Sequence, residues 1–330
     1  MSAPTLRVVP LRVNPPRPAR IPLPTLVGLA LHRQRTALTV AGLGLGALAL
    51  WTLRTVHSLD GARAGLASAG CTIRSAPVEC ALAHERVDSA LQSVQQLQLA
   101  LVAVPLLVGA LLGAPLVARE FEQGTYRLVW TQSVSRQRWL TGQLCATGGA
   151  VALIGAACAA LGTLLRQAAT PALSFGSKGF EALPYNAFGP VLAVATVLAF
   201  AVGVLCGLGW RRTVPPIATT VAGYAALIAG FTWLRRFLLP GLTRYPPHGY
   251  DLGPDDWLLR DGVVTPGGER LGYAQCPRTG CPAGSRTFDV YHSAGQLWPT
   301  QWVQAALMLA LTAAVLLLAH RALRLTTRLH

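Results

Sequence analysis

Six stretches of this chain, residues 36–53, 97–118, 140–165, 187–209, 214–234 and 302–319, contain no Asp, Glu, Lys or Arg. A helix lying on a soluble core carries an apolar stripe and a charged opposite face. These stretches are instead apolar all round and rich in Gly, Ala, Leu and Val. Crossing a hydrocarbon layer of about 30 Å takes roughly 20 consecutive, mostly apolar residues in a helix, and the stretches are of that order. The pattern predicts an all-α integral membrane protein with six transmembrane helices. Composition agrees, with 52% hydrophobic and 12% charged residues, where about 25% charged is usual for a soluble domain.

Charge then orients the spans. With six crossings both tails share a side. Segments 1–35, 119–139, 210–213 and 320–330 hold fifteen arginines against two acids, whereas 54–96, 166–186 and 235–301 hold thirteen basic residues against eleven acids. Basic residues in short loops close to span ends stay cytoplasmic, so Arg33, Arg35, the four arginines of 119–139, Arg211, Arg212 and Arg321 place both termini in the cytoplasm. Of seven cysteines, Cys145, Cys158 and Cys206 fall within spans, and the rest pair as Cys71/Cys80 and Cys276/Cys281, each in a loop placed outside. Neighbouring cysteines on the oxidising side are expected to form disulfides, with free thiols as the alternative. A zinc site would need a second Cys/His pair at ligand spacing, which the surroundings of Cys276 and Cys281 lack. Trp51, Trp130, Trp139, Trp210, Trp233, Trp298 and Trp302 lie at or near span ends, where an amphipathic ring prefers to sit.

The appendages follow from turn chemistry. Residues 1–24 set Arg7, Arg12, Arg17 and Arg20 among repeated prolines, which prevent a regular helix. A disordered cytoplasmic tail resting on anionic membrane lipid is expected there. No apolar run directly follows a short basic start, so no cleavable signal peptide is expected. Residues 25–35 are apolar and then basic, which suits either a short interfacial helix or the start of a long first span. Pro, Gly and Tyr in the outer loop 235–301 predict turns and short elements rather than a catalytic domain. Glycines four apart recur as Gly42/Gly46, Gly109/Gly113 and Gly203/Gly207, a spacing that permits close helix approach. Pro105 and Pro115 predict a bend or local unwinding in the second span.

Catalytic chemistry finds little footing. A phosphate loop needs Gly-x4-Gly-Lys-Ser/Thr, and the single lysine, Lys178, lies in SFGSKGF without that spacing. His84–Glu85 lacks the second histidine of a zinc-peptidase helix, and no Gly-x-Ser-x-Gly elbow occurs. Ion-driven carriers bury Asp, Glu, His or Arg at membrane depth, and no span has one in its central part. Gln143, Thr219, Thr220, Tyr224 and Gln304 are the polar residues there. Their ordinary role is helix packing through hydrogen bonds. An energy source outside the membrane domain is favoured.

The charge-dense segment 119–139, REFEQGTYRLVWTQSVSRQRW, is a poor membrane insert and a good docking surface. The stretch from Gly113 to Leu140, GAPLVAREFEQGTYRLVWTQSVSRQRWL, resembles the signature of ABC-2 type permease subunits, in particular the actinobacterial branch. Arg119, Glu120, Glu122, Gly124 and Thr125 stand at its Arg-Glu-x-Glu-x-Gly-Thr core, and Ser135 and Arg136 at its Ser-x-Arg turn. The final stretch WPTQWVQAALMLALTAAVLLL is similar to the last span of that branch. The resemblance implies a type V exporter-like permease fold in a bacterial plasma membrane. Two permease subunits, identical or not, would form the path, with ATP and Mg bound by a separate cytoplasmic ATP-binding subunit and no cofactor in this chain. A short helix in 119–139 would sit in a cleft of that subunit. Glu120 and Glu122 would pair with its basic residues or cap the loop helix, Gly124 would permit a turn, and Arg136 would anchor to the partner or to lipid phosphate. No nucleic-acid partner is expected. A non-transporting membrane anchor or sensor coupled to an ATPase or signalling partner is the alternative.

Overall fold

A computed structural model describes residues 22–72, 78–122, 136–172, 179–210, 214–246, 253, 255–277 and 280–325. Nine helices of five or more residues are found among them. They are α1 (Leu23–Arg33), α2 (Arg35–Ser68), α3 (Ala81–Val108), α4 (Ala114–Glu122), α5 (Arg136–Ala169), α6 (Ala182–Asn186), α7 (Gly189–Gly209), α8 (Val214–Leu234) and α9 (Leu297–Leu325). Six helical segments are long and apolar enough to cross a membrane, the class expected from the apolar stretches. Residues 1–21, the greater part of the proline-rich tail, lie outside the described residues. The 25–35 segment forms its own helix, α1, which starts at Leu23 with proline in its first turn, where a missing N–H costs nothing.

Helices α2 and α3 run well past their apolar stretches. α2 has 34 residues, about 51 Å at 1.5 Å per residue, so about 20 Å of it projects beyond a 30 Å hydrocarbon layer. Much of the loop expected over 54–96 is therefore a helical hairpin. Two polar helices persist there because they pack on each other, Leu59 meeting Val87, Ala90 and Val94 in one buried cluster. At the hairpin tip Gly70 takes the left-handed conformation (φ 68°). A Cys71–Cys80 disulfide crosses the tip, and the His84 ring bridges it, with Nδ1 2.9 Å from the Cys80 carbonyl and Nε2 3.1 Å from that of Thr72. His84 is thus a structural residue.

The core gathers around α7, whose span window is 67% buried, against 6% for α2 and 11% for α8. α7 packs on α3, α4, α5, α8 and α9, and its glycines allow the closest approach. A Cβ on Gly109 would stand 2.7 Å from the Ala199 carbonyl oxygen and one on Gly113 2.6 Å from that of Phe200. Gly203 and Gly207 press in turn on the backbone of Gly109 and Ala114. Gly42 and Gly46 meet nothing within 4 Å. Of the three glycine pairs, two pack helix on helix and the first faces outward. Between α3 and α4 the helix widens into a π-turn over Gly109–Gly113. Pro115, the second residue of α4, has no N–H for the carbonyl four residues back, and one wide turn absorbs that loss.

The 235–301 segment adds a small antiparallel sheet in the order β1-β4-β2-β3. Its strands are β1 (Leu242–Arg244), β2 (Trp257–Val264), β3 (Arg270–Leu271) and β4 (Arg286–His292). A Cys276–Cys281 disulfide lies between β3 and β4. The turns expected from Pro and Gly are there, but the strand pairing was not legible. β2 and β4 mix both faces with charge, and Asp261 lies directly opposite Asp289, an arrangement that no alternating pattern announces. Burial and the Asp261 carboxylate raise the Asp289 carboxyl above its ordinary range, with the Arg244 guanidinium opposing. Burial with those same two carboxylates raises the Tyr273 phenol.

The sheet is fastened to the bundle by buried side chains. The Arg166 Nη2 donates to the Asp255 carboxylate at 3.0 Å, both side chains being mostly buried. Asp255, held at φ 68°, also accepts from the Gly179 N–H at 3.0 Å. Arg235, 6% exposed, has its guanidinium carbon 5.1 Å from the Tyr185 ring centre and 4.9 Å from that of Trp257. Burial raises the Tyr185 phenol, with the Arg235 charge pulling the other way. His292 reaches the Arg236 carbonyl (3.2 Å) and the Gln296 side chain (3.1 Å). Gln301 of α9 joins three helices: its amide donates to the Tyr185 carbonyl (2.8 Å) and its oxygen accepts from the Val191 N–H (3.1 Å).

Candidate functional site

The bundle has two unlike ends. One carries the sheet and both disulfides. At the other, α4 leaves the bundle, α5 begins, and α1 and the C-terminal part of α9 come together. The Thr147 hydroxyl donates to the Gln34 side chain at 3.1 Å, tying the α1–α2 junction to α5. Thr141 Oγ1 lies 3.4 Å from His320 Nε2, tying α5 to α9. Arg33, Arg35, Arg119, Arg138 and Arg321 are all on this end, and each except Arg138 is exposed. It is therefore the basic end.

α4 is amphipathic for a simple reason. Val117 and Ala118 are buried, at 1% and 0% exposure, while Arg119 and Glu122 are exposed. The apolar side joins a cluster with Leu140 of α5, Phe200 and Val204 of α7 and Ala319 of α9. Gly207 of α7 lies against the Ala114 carbonyl and 3.6 Å from the Ala118 N–H by its added-Cβ position. A force applied to α4 thus meets backbone rather than a compliant side chain. Of the signature residues, Arg119 and Glu122 lie on the last turn of α4. Glu120 is on the same helix, and Arg136 is the first residue of α5; the side chains of both lie outside the described residues. Gly124, Thr125, Ser135 and Trp130 also lie outside them.

Among the described residues no group of three or more His, Cys, Asp or Glu gathers in a metal-holding arrangement. What the basic end offers is a charged surface, Arg119 and Glu122, on a helix packed against α7.

Two features escaped the sequence reading. Arg166 and Asp255 were counted as ordinary outer-loop charges, although an arginine closing a 26-residue apolar stretch over 140–165 was a signal for a partner. In the sequence Gln304 stands among the polar residues expected to pack helices, and Gln301 lies just before the last apolar stretch. The structure separates them. Gln301 has both partners, whereas neither polar atom of Gln304 has one among the described residues, and its residue is 0% exposed.

The family model described as ABC-2 membrane transporter related matches residues 42–235. That region takes in three of the six candidate spans whole, most of two more, and the whole 119–139 segment. No curated protein and no solved structure matches the chain. Residues 42–235 exceed half of the 330-residue chain. The chain therefore belongs to the ABC-2 membrane transporter related family, as a membrane-embedded permease component whose family works with a separate ATP-binding subunit.

Proposed function

We propose that the protein is the permease subunit of an ATP-driven exporter in a bacterial plasma membrane. It has cytoplasmic tails and pairs with a second, identical or different, permease chain. A separate ATP-binding subunit holds ATP and Mg and docks on residues 119–139. Arg119, Glu120, Glu122 and Arg136 supply its charged contacts, Gly124 permits a turn, and Thr125 and Ser135 complete the interface. Such contacts set orientation and pairing as much as affinity.

The observation that supports this reading is the mounting of α4. It leaves the bundle at the basic end with Arg119 and Glu122 outward, and its inner face is locked to α7 through Gly113, Gly203 and Gly207. Nucleotide-driven closure of a partner beneath it would move the α3–α4 rod and α5 as a rigid body against α7.

Co-purification of the detergent-solubilised chain with its ATPase tests the docking. Glu122→Arg reverses one contact and is expected to abolish capture, while ATP-driven uptake of cargo into inside-out vesicles gives direction. Unchanged capture in that variant removes Glu122 from the interface. Nucleotide hydrolysis by the purified chain alone would overturn the division of labour.

A further inference from the structure

Near the sheet end a cavity of about 230 Å3 opens between α3, the end of α5 and the start of α6. It lies at the level where α5 ends, on the opposite end of the bundle from Arg119 and Glu122 of α4. Its walls are of two kinds. Leu91, Val94 and Leu183 make an apolar side, and Gln95 and Gln98 present amides from α3.

Two charges border it. Arg166 lines the cavity, but its guanidinium is engaged by the Asp255 carboxylate at 3.0 Å and lies over the Phe188 ring at 4.8 Å. Its charge is locally neutralised. Glu181 also lines the cavity. It occupies the N-cap position of α6 yet makes no capping hydrogen bond, and it forms no ion pair among the described residues. The lining therefore carries one uncompensated negative charge beside an apolar wall. A small concave site of apolar surface with a few convergent polar groups is the ordinary form of a small-molecule site.

We propose that this cavity is an outward-facing binding site for a small amphipathic organic cation. Glu181 is the counter-ion, Leu91, Val94 and Leu183 take the apolar body, and Gln95 and Gln98 supply hydrogen bonds. The Arg166–Asp255 pair keeps the field negative by masking the only cation among the described lining residues. As a statement about cargo the inference rests on the permease reading; as a statement about binding it stands without it.

The test uses the full chain in lipid nanodiscs. Cys145, Cys158 and Cys206 are replaced by Ala, both disulfides are kept, and Gln98→Cys introduces a reporter thiol. Labelling rates are compared for a trimethylammonium and a sulfonate methanethiosulfonate, each divided by its rate with a free thiol in solution. For a carboxylate taken at roughly 7 Å in water, attraction of one reagent and repulsion of the other are together expected to favour the cationic one by about seven-fold at low salt. Glu181→Gln should return the ratio to one. Asp255→Asn unmasks Arg166 and should move it toward the anionic reagent. Tetrabutylammonium should slow labelling at Gln98→Cys and leave an exposed Thr243→Cys on β1 unaffected; Gln95→Cys serves if the first variant does not fold. A ratio of one that ignores Glu181→Gln, absence of tetrabutylammonium protection, or no labelling at either cavity position overturns the proposal. Retained protection with no ATP-driven flux in the assembled complex would overturn the permease reading and leave the cavity assignment standing.

Discussion

Gln301 and Gln304 make a matched experiment, because they are the same residue, one turn apart on α9, both 0% exposed, with opposite hydrogen-bond status. Gln301→Leu removes a donor from the Tyr185 carbonyl and an acceptor from the Val191 N–H. Orphaning a buried polar group costs about 1–3 kcal/mol, so two of them cost about 2–6 kcal/mol. Gln304→Leu removes an amide whose Nε2 and Oε1 have no partner, leaves nothing orphaned, and is expected to be neutral or stabilising by about 1 kcal/mol. Thermal unfolding of the detergent-solubilised chain, followed by tryptophan fluorescence, reads both. At roughly 2 °C per kcal/mol for a chain of this size, Gln301→Leu should lower the midpoint by about 4–12 °C while Gln304→Leu holds or raises it. Hydrogen bonds between helices inside a membrane average only about 0.6 kcal/mol. If both variants fall within about 1 kcal/mol of the parent, Gln301 is an ordinary intramembrane contact and its role as a three-helix joint is refuted.

Three further outcomes are expected. Gly203→Ala puts a methyl 2.8 Å from the Ala114 nitrogen and should cost about 1–3 kcal/mol by overpacking, whereas Gly46→Ala, with nothing within 4 Å, should be neutral or gain about 0.5–1 kcal/mol; equal effects in the same unfolding assay would remove the α4–α7 contact as the tight one. Cys71→Ser opens a loop of sequence separation 9 and should cost about 3 kcal/mol, measured against the parent with and without reductant; no change on reduction would mean the hairpin tip holds without its bond. The folded-state pKa of Asp289 is raised above the usual 3.8, so the folded chain binds its proton more tightly than the unfolded chain. The penalty is fully present above the raised value and is relieved as pH falls through it toward 3.8. Asp289→Asn should flatten that part of the stability–pH profile, and an unaltered profile would exclude Asp289 as its source.

All six candidate spans were legible in the linear chain. Insertion into hydrocarbon is a sum over about 20 neighbouring residues, and orientation depends on arginines a few positions from span ends, so both are written locally. The amphipathy of α4 follows from the alternation of Val117 and Ala118 with Arg119 and Glu122. The projection of α2 and α3 beyond the membrane was not legible, because charged residues such as Asp60 and Arg63 end an apolar run without ending a helix.

What the amino-acid order determined by itself is the membrane class, the number of crossings and the basic end, since each depends on neighbours in sequence. Tertiary structure alone decided which glycines touch backbone, which of two glutamines is satisfied, and that Arg166 finds Asp255 across 89 positions. Those outcomes depend on helices meeting at particular depths and rotations, and a contact between distant residues has no free energy until the packing that creates it exists.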